Sequence, residues 1–164
     1  MSGLALSPAH VALQASDLAR AEFLGFTVQN ETYAVSIEHV VEILRQANVT
    51  PVPRAGPHID GVLSVRGRLV TVVSIRAILG FARAPLERRS RILLSSVGGE
   101  TVGFVVDSVL QVFHLTPEMF EPPEVLSNTP PAHWLGIART SSVALTLIDL
   151  ARLLVLPAPN RTED

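Results

Sequence analysis

This 164-residue chain contains no cysteine and no lysine. Without cysteine it has neither disulfides nor thiolate metal ligands, a composition typical of proteins in the reducing cytoplasm. All 13 basic residues are arginines, and 15 acidic residues outnumber them to give a net charge of −2. Nucleic-acid-binding proteins usually carry excess basic charge, so this balance argues against a nucleic-acid partner. The one basic cluster, Arg83, Arg88, Arg89 and Arg91, is better interpreted as a solvated linker than as a phosphate contact.

The sequence also lacks a long apolar run and a signal peptide. No segment reaches the roughly 18 uninterrupted apolar residues that a membrane-spanning helix requires. Residues 1–20 have neither the basic start nor the apolar centre of a secretory signal. Apolar residues nevertheless make up 48% of the chain, enough for a core in one domain or in two closely packed subdomains. We therefore expect a cytoplasmic protein with no direct membrane insertion.

What the chain does contain is one pattern that occurs twice. Residues 31–43 share their order of apolar and polar positions with residues 100–112, and residues 61–79 align with residues 136–154, both without a gap. The identical positions are Glu31/Glu100, Thr32/Thr101, Val40/Val109, Gly61/Gly136, Thr71/Thr146 and Leu79/Leu154. A unit of this length that occurs only twice does not form a solenoid. An internal duplication without a recognisable catalytic cluster favours a protein that joins partners.

Each copy has the alternation and turn residues of two β-hairpins linked by a short helix. In the first copy we predict strands at residues 23–28, 32–37, 61–65 and 69–75, with short helices at 40–44 and 76–79. In the second copy we predict strands at residues 92–97, 100–106, 135–139 and 143–148, with short helices at 109–112 and 149–154. Glu38, Asp107 and Asp149 are the expected helix caps. Residues 69–73 are almost entirely apolar, which predicts a strand buried on both faces, as in a small closed barrel.

Groupings typical of enzymes are missing from the sequence. The five histidines, at positions 10, 39, 58, 114 and 133, show neither metal-ligand spacing nor an HExxH pattern. There is no Gly-x-Ser-x-Gly nucleophile elbow, and Gly98-Gly99 precedes a predicted strand, as a hairpin turn does. We therefore expect no catalytic residues, no metal and no cofactor. An enzyme or a small-ligand sensor with a pocket between two barrels is the alternative from another functional class.

Two exposed positions point to a binding surface. Arg66-Gly67 lies at the predicted tip of a hairpin, where glycine permits a positive φ and arginine presents five hydrogen-bond donors to solvent. Glu42 lies among the apolar residues of the helix predicted at 40–44. Each position is equally compatible with a purely structural role, the first as a turn that happens to contain arginine and the second as a solvated helix face.

Several short motifs occur in an order that is typical of one family. In the first copy they are residues 23–43, Val52-Pro53, residues 59–62, residues 64–67 and residues 72–76. In the second copy they are residues 105–109, 135–138 and 147–150. In these motifs the chain resembles the bacterial chemotaxis coupling proteins, the CheW-like family. The resemblance covers residues 22–156, with subdomains at about 22–82 and 90–156, and leaves an N-terminal extension at 1–21, expected to be partly disordered, and a C-terminal tail at 157–164.

This resemblance implies a mainly β fold of two five-stranded SH3-like barrels with short helices. It also implies a non-catalytic adaptor that couples the cytoplasmic tip of a chemoreceptor to the SH3-like regulatory domain of a histidine autokinase in a membrane-associated array. By position in the family motifs, Val40, Glu42 and Arg66 would contact the receptor, and Gly67 would shape the turn. The resemblance assigns no residue of this chain to the kinase.

The chain departs from the family pattern at three positions of the first copy. The usual Asn-x-Arg-Gly and Pro-Val-x-Asp-Leu-Arg stretches have asparagine, proline and aspartate where this chain has Ser64, Thr71 and Ser74. Loss of the strand proline restores a backbone donor, and loss of the aspartate removes a charged cap or an ion-pair partner near Arg76. A divergent coupler that binds the receptor but has lost the kinase is therefore the alternative within the same class.

Overall fold

The computed structural model describes residues 21–45 and 48–154. Within them the strands are β1 (Ala21–Val28), β2 (Glu31–Ser36), β3 (Val40–Leu44), β4 (Ile59–Val65), β5 (Arg68–Ser74), β6 (Arg91–Val97), β7 (Glu100–Val106), β8 (Ser108–Leu115), β9 (Phe120–Glu121), β10 (Trp134–Arg139) and β11 (Ala144–Ile148). The helices are α1 (Ile75–Ile78) and α2 (Leu150–Leu154), and short 3-10 helices lie at Ile37–His39, Pro117–Met119 and Pro123–Val125. The predicted tail at 157–164, and all of the predicted extension at 1–21 except Ala21, lie outside the described residues.

The β1–β2 hairpin shows why these residues form strands. Phe26 and Val28 are fully buried on β1, and the Phe26 ring stacks on Tyr33 of β2 with ring centroids 6.0 Å apart. Gln29 and Asn30 connect the strands with positive φ values of 54° and 66°. Two consecutive residues with positive φ are what a type I′ turn requires, and the twist of this turn matches that of paired strands. The turn lies one residue earlier than the Asn30-Glu31 pair that the sequence suggested.

The strands form two sheets that interleave the two copies. One sheet has the order β8-β1-β2-β11-β10-β9 and the other has the order β3-β6-β7-β5-β4. The β1–β2 hairpin of the first copy joins β8 and β11 of the second, while the β6–β7 hairpin of the second copy joins β3 and β5 of the first. The predicted halves at residues 22–82 and 90–156 therefore each contribute strands to both sheets.

Three apolar clusters form the core. The largest draws side chains from both sheets and from both helices. The second belongs to the six-stranded sheet and the third to the five-stranded sheet. The largest cluster includes Phe26 and Phe104, the second includes Phe23 and Leu147, and the third includes Leu63 and Ile92. Because the largest cluster contains residues from both sheets, neither sheet has a complete core without the other.

The helices predicted at residues 40–44 and 109–112 are wrong, because both segments lie in strands. Val40–Leu44 is β3 and pairs with β6, and Ser108–Leu115 is β8 and pairs with β1. Each strand contains two valines, and branching at Cβ favours extended backbone. The periodicity of a short apolar run fits a helix and a strand equally well, so the conformation of these two segments is decided by pairing with a neighbouring strand at the edge of each sheet. Glu38 and Asp107 consequently cap no helix there: Glu38 lies inside a 3-10 helix whose cap is Ser36, and Asp107 precedes a strand.

The prediction that residues 69–73 are buried on both faces is wrong for the first part of that strand. Leu69 is 76% exposed and Thr71 is exposed, whereas Val70, Val72 and Val73 are buried. The reason lies in the pairing, since β7 pairs with β5 only from Thr71 onward. The start of β5 and the end of β4 therefore extend beyond the sheet as a two-stranded hairpin.

The repeated glycines Gly61 and Gly136 have the same structural role. Each lies at a β-bulge, one between β4 and β5 and the other between β10 and β11. A Cβ atom on Gly61 would lie 2.1 Å from the carbonyl oxygen of Thr50, and one on Gly136 would lie 2.8 Å from that of Glu121. Both positions require glycine because another backbone segment passes too close for any side chain.

Ser74 and Asp149 cap the two short helices at equivalent positions of the two copies. The Ser74 hydroxyl accepts a hydrogen bond of 3.2 Å from the amide of Ala77, and Asp149 Oδ1 accepts one of 2.9 Å from the amide of Ala151. The prediction that Asp149 is a cap is thus confirmed. Ser74 thus caps its helix with a neutral group at the position where the family pattern has aspartate.

Asp107, rather than a residue at position 74, pairs with Arg76. The guanidinium donates from Nε to Oδ1 at 2.9 Å and from Nη2 to Oδ2 at 2.6 Å, and Nη1 donates to Gln29 Oε1 at 2.6 Å. The backbone amide of Gln29 in turn donates to Asp107 Oδ2 at 2.8 Å. The hydrogen bonds that the guanidinium donates to Asp107 raise the pKa of Arg76 above its usual value, so its charge is permanent. This network joins α1, the β1–β2 turn and the β7–β8 junction, and so connects the two sheets.

Candidate partner-binding surface

The tip of the β4–β5 hairpin presents one arginine to solvent in a defined direction. Val65 is paired with Arg68, so only Arg66 and Gly67 form the loop. Their φ values of 49° and 79° are both positive, as a type I′ turn requires. Arginine rarely adopts such a backbone conformation, and glycine at the second position limits the strain to one residue. The turn therefore fixes where the Arg66 side chain, 75% exposed, leaves the backbone.

Glu42 holds the Arg66 guanidinium in place. Arg66 Nη1 lies 2.7 Å from Glu42 Oε1, and the glutamate side chain is 30% exposed. The two residues come from β3 and from the tip of β4–β5, at opposite edges of the five-stranded sheet. Their contact shows that this sheet is curled, because side chains at opposite edges of a flat five-stranded sheet could not touch. An ion pair this exposed contributes less than about 1 kcal/mol to stability, so its effect is to orient two charged groups.

Large apolar side chains lie exposed around this ion pair. Val41 is 59% exposed and Leu69 is 76% exposed. Val41, Glu42, Arg66, Arg68 and Leu69 line one open cavity of about 640 Å³. We call these residues the β3–β5 surface. Exposed aliphatic groups that surround an oriented arginine are typical of a protein–protein interface.

The chain matches the CheW-like domain model over residues 22–158. It belongs to the CheW-like family. It is 30% identical over 155 residues to the chemotaxis protein CheW of Klebsiella aerogenes, covering 94% of this chain and 91% of the relative. It is also 30% identical over 145 residues to the protein FrzA of Myxococcus xanthus, covering 87% of this chain and 91% of that relative. The structure resembles that of the scaffolding protein TtCheW from Thermoanaerobacter tengcongensis, with a TM-score of 0.76, 25% identity, and coverage of 84% of this chain and 94% of the other.

Membership of the CheW-like family confirms two predictions. The mainly β fold with two SH3-like subdomains is correct, although the two sheets have six and five strands rather than five each. The sixth strand is β9, which contains only two residues. The chain is a chemotaxis coupling adaptor of a family of non-catalytic scaffolds.

The CheW-like fold brings two of the three predicted receptor-contact residues together. Glu42 and Arg66 form the ion pair of the β3–β5 surface. Val40 is half-buried and packs against the largest core cluster, so it supports the surface from below. Val41 and Leu69 were not predicted as site residues. Reading residues 40–44 as an edge strand would have indicated that Val41 is exposed, because alternation puts it on the face opposite the half-buried Val40.

The arginine cluster between the two copies is not a uniformly solvated linker in this CheW-like protein. Arg83 forms an ion pair with Asp60 and donates a hydrogen bond to the carbonyl oxygen of Pro57. Burial raises the pKa of the Asp60 carboxyl, and the Arg83 guanidinium opposes this shift. Arg83 therefore attaches the segment between the two copies, which we call the connector, to β4.

His133 is a buried polar group with no evident role in the partner-binding surface. It is 5% exposed, and among the described residues neither ring nitrogen has a hydrogen-bond partner. Burial lowers the pKa of His133 below its usual value, so the ring is neutral at pH 7. In the part of the chain that the structure describes, no three His, Cys, Asp or Glu side chains are grouped to hold a metal ion. No helix among the described residues is both long enough and apolar enough to cross a membrane.

Proposed function

We propose that this CheW-like protein couples the cytoplasmic tips of chemoreceptors to the SH3-like regulatory domain of a histidine autokinase, at the cytoplasmic side of a receptor array. Residues 22–156 form the unit that carries this function. The β3–β5 surface contacts the receptor, with Arg66 and Glu42 as its charged groups and Val40 supporting it from the core.

One observation carries the assignment of this surface to the receptor. Arg66 leaves a rigid two-residue turn, is held by Glu42 and is surrounded by exposed Val41 and Leu69. Such a surface binds a partner through apolar contact and selects it by charge. Because the Arg66–Glu42 pair is exposed, a receptor carboxylate can compete for the guanidinium at little cost in the stability of the adaptor.

The test measures binding by calorimetry to a soluble fragment of the chemoreceptor tip encoded in the same genome. Arg66→Glu removes the donors and reverses the charge, so we expect at least a tenfold loss of affinity, or about 1.4 kcal/mol. The matched control is Arg139→Glu, because Arg139 is 58% exposed and paired with Glu121 at 3.0 Å in the other sheet. The control should bind as the wild type does, and both variants should keep the wild-type circular dichroism spectrum.

A second titration of the same protein uses the regulatory domain of the cognate kinase. Binding to both partners, together with increased kinase activity when receptor and adaptor are combined, supports the full proposal. Binding to the receptor alone would identify the divergent coupler that has lost the kinase. If Arg66→Glu binds the receptor with wild-type affinity, the β3–β5 surface is not the receptor site. If the folded wild-type protein binds neither partner, the coupling function itself is refuted.

A further inference from the structure

A second polar surface lies at the other end of the β3–β6 strand pair. Arg45 follows the last residue of β3, Arg91 begins β6, and Leu44 pairs with Ile92 beside them. The connector between the two copies folds back here and adds Arg88. The resulting open cleft has a volume of about 440 Å³. We call it the arginine cleft; its lining includes Arg45, Leu86, Glu87, Arg88, Arg91 and Ile92.

A closed turn of the connector sets the directions of the two arginines at its tip. The Ser90 amide donates to the Glu87 carbonyl at 3.0 Å, and the Glu87 amide donates to the Ser90 hydroxyl at 2.8 Å. Ser90 itself is only 7% exposed, so the turn is anchored in the protein. Arg88 and Arg89 occupy the two central positions of the turn. Arg88 lines the arginine cleft, whereas Arg89 lines a different cavity, next to Asn30 and Arg76.

The charge of the cleft is not neutralised within the described residues. Arg45 and Arg88 form no ion pair there, and Arg91 donates from Nη1 only to the carbonyl oxygens of Arg88 and Ser90, at 3.0 and 2.8 Å. Glu87 is the single acidic residue of the lining. By contrast, Arg66, Arg76, Arg83, Arg139 and Arg152 each face a carboxylate. Three arginines thus line one open space, with Glu87 as the acidic residue among the described residues that line it.

We propose that the arginine cleft binds an acidic, amphipathic segment of a protein partner. Guanidinium groups bind carboxylates through paired hydrogen bonds, and Leu86, which is 50% exposed, offers an apolar contact beside them. Three arginines on a chain of net charge −2 do not make the extended basic surface that a nucleic acid requires, so a short acidic peptide segment fits the cleft better. The cleft shares no lining residue with the β3–β5 surface.

The test uses the full chain and a fluorescein-labelled peptide of alternating glutamate and leucine, with binding followed by anisotropy at low salt. Arg88→Glu should weaken binding by about tenfold or more, because a like charge would then face the peptide carboxylates. Arg89→Glu is the matched control, since it makes the same charge change in the same turn but outside the cleft, and it should weaken binding less than about threefold. Thermal unfolding of both variants verifies that the fold is unchanged.

Three results would overturn the proposal. The first is no saturable binding of the peptide by the folded wild-type protein. The second is an equal loss for Arg88→Glu and Arg89→Glu, which would mean that the peptide senses only overall charge. The third is tighter binding of a single-stranded oligonucleotide than of the peptide, with the same dependence on Arg88, which would assign the cleft to nucleic acid.

Discussion

Replacement of Arg76 by methionine should destabilise the whole fold, because Arg76 connects the two sheets. The substitution keeps an unbranched side chain of similar length and removes the bonds to Asp107 and Gln29. It also leaves the Asp107 carboxylate without its cationic partner. The side chains of Arg76 and Asp107 are 19% and 31% exposed, so this pair is neither a surface contact nor fully buried.

The expected magnitude follows from that intermediate burial. Exposed ion pairs contribute up to about 1 kcal/mol, whereas removing one partner of a fully buried pair costs about 3–5 kcal/mol. For Arg76→Met we therefore expect a decrease of about 2–3 kcal/mol in the free energy of unfolding. In a domain of this size, each kcal/mol lowers the melting temperature by about 2–4 °C.

A double-mutant cycle separates the interaction from other effects of each substitution. Urea unfolding is measured for the wild type, Arg76→Met, Asp107→Asn and the double variant, and we expect a coupling free energy of at least about 1 kcal/mol. The same cycle on Arg139 and Glu121, whose side chains are 58% and 36% exposed, is the control and should give less than about 0.5 kcal/mol. Equal coupling in the two cycles would refute the idea that this network connects the sheets.

Two further predictions concern buried positions. Gly61→Ala should destabilise the protein by at least about 2 kcal/mol, because its Cβ would lie 2.1 Å from the Thr50 carbonyl oxygen. The control is Gly56→Ala, which has open space at its Cβ and should change stability by less than about 0.5 kcal/mol. Equal melting temperatures for the two variants would contradict this prediction. His133 has a pKa lowered by burial, so below about pH 6.5 the unfolded chain takes up a proton that the native protein does not. The free energy of unfolding should therefore fall with decreasing pH by up to about 1.4 kcal/mol per pH unit. His133→Phe should reduce this slope. If urea titrations from pH 5 to 8 give the same slope for the variant and the wild type, His133 is not its source.

Local features of the fold could be predicted from the sequence because they depend on neighbouring residues. The hairpins, the Arg66-Gly67 turn and the Asp149 cap all follow from backbone preferences within a few positions. The strands β3 and β8 could not be distinguished from short helices in this way. Their conformation is set by pairing with β6 and β1, which lie far away in the sequence. The sequence also could not predict that the first hairpin of each copy pairs with strands of the other copy, because two similar copies offer similar strand edges for pairing.

The candidate surfaces show the same division. Arg66 and Glu42 could be identified individually, and their contact depends on the curl of the five-stranded sheet. Leu69 was expected to be buried, because its apolar side chain lies in an apolar run and gives no sign that the strand extends beyond its neighbour. The arginine cleft was missed because the connector reads as polar linker. Its fold against the start of β6 depends on the buried Ser90, a residue with no distinctive signal in the sequence.

The interleaved sheets have a consequence for how such a chain could be assembled from parts. Each copy gives its first hairpin to the sheet that the other copy completes, as two subunits do in a domain-swapped dimer. A fragment containing one copy would expose the strand edges that the other copy normally covers, and exposed strand edges pair readily with a strand of another chain. Two fragments divided within the connector should therefore reassociate when mixed. A single fragment should pair with a second molecule of itself, which makes the intact protein equivalent to a dimer joined into one chain.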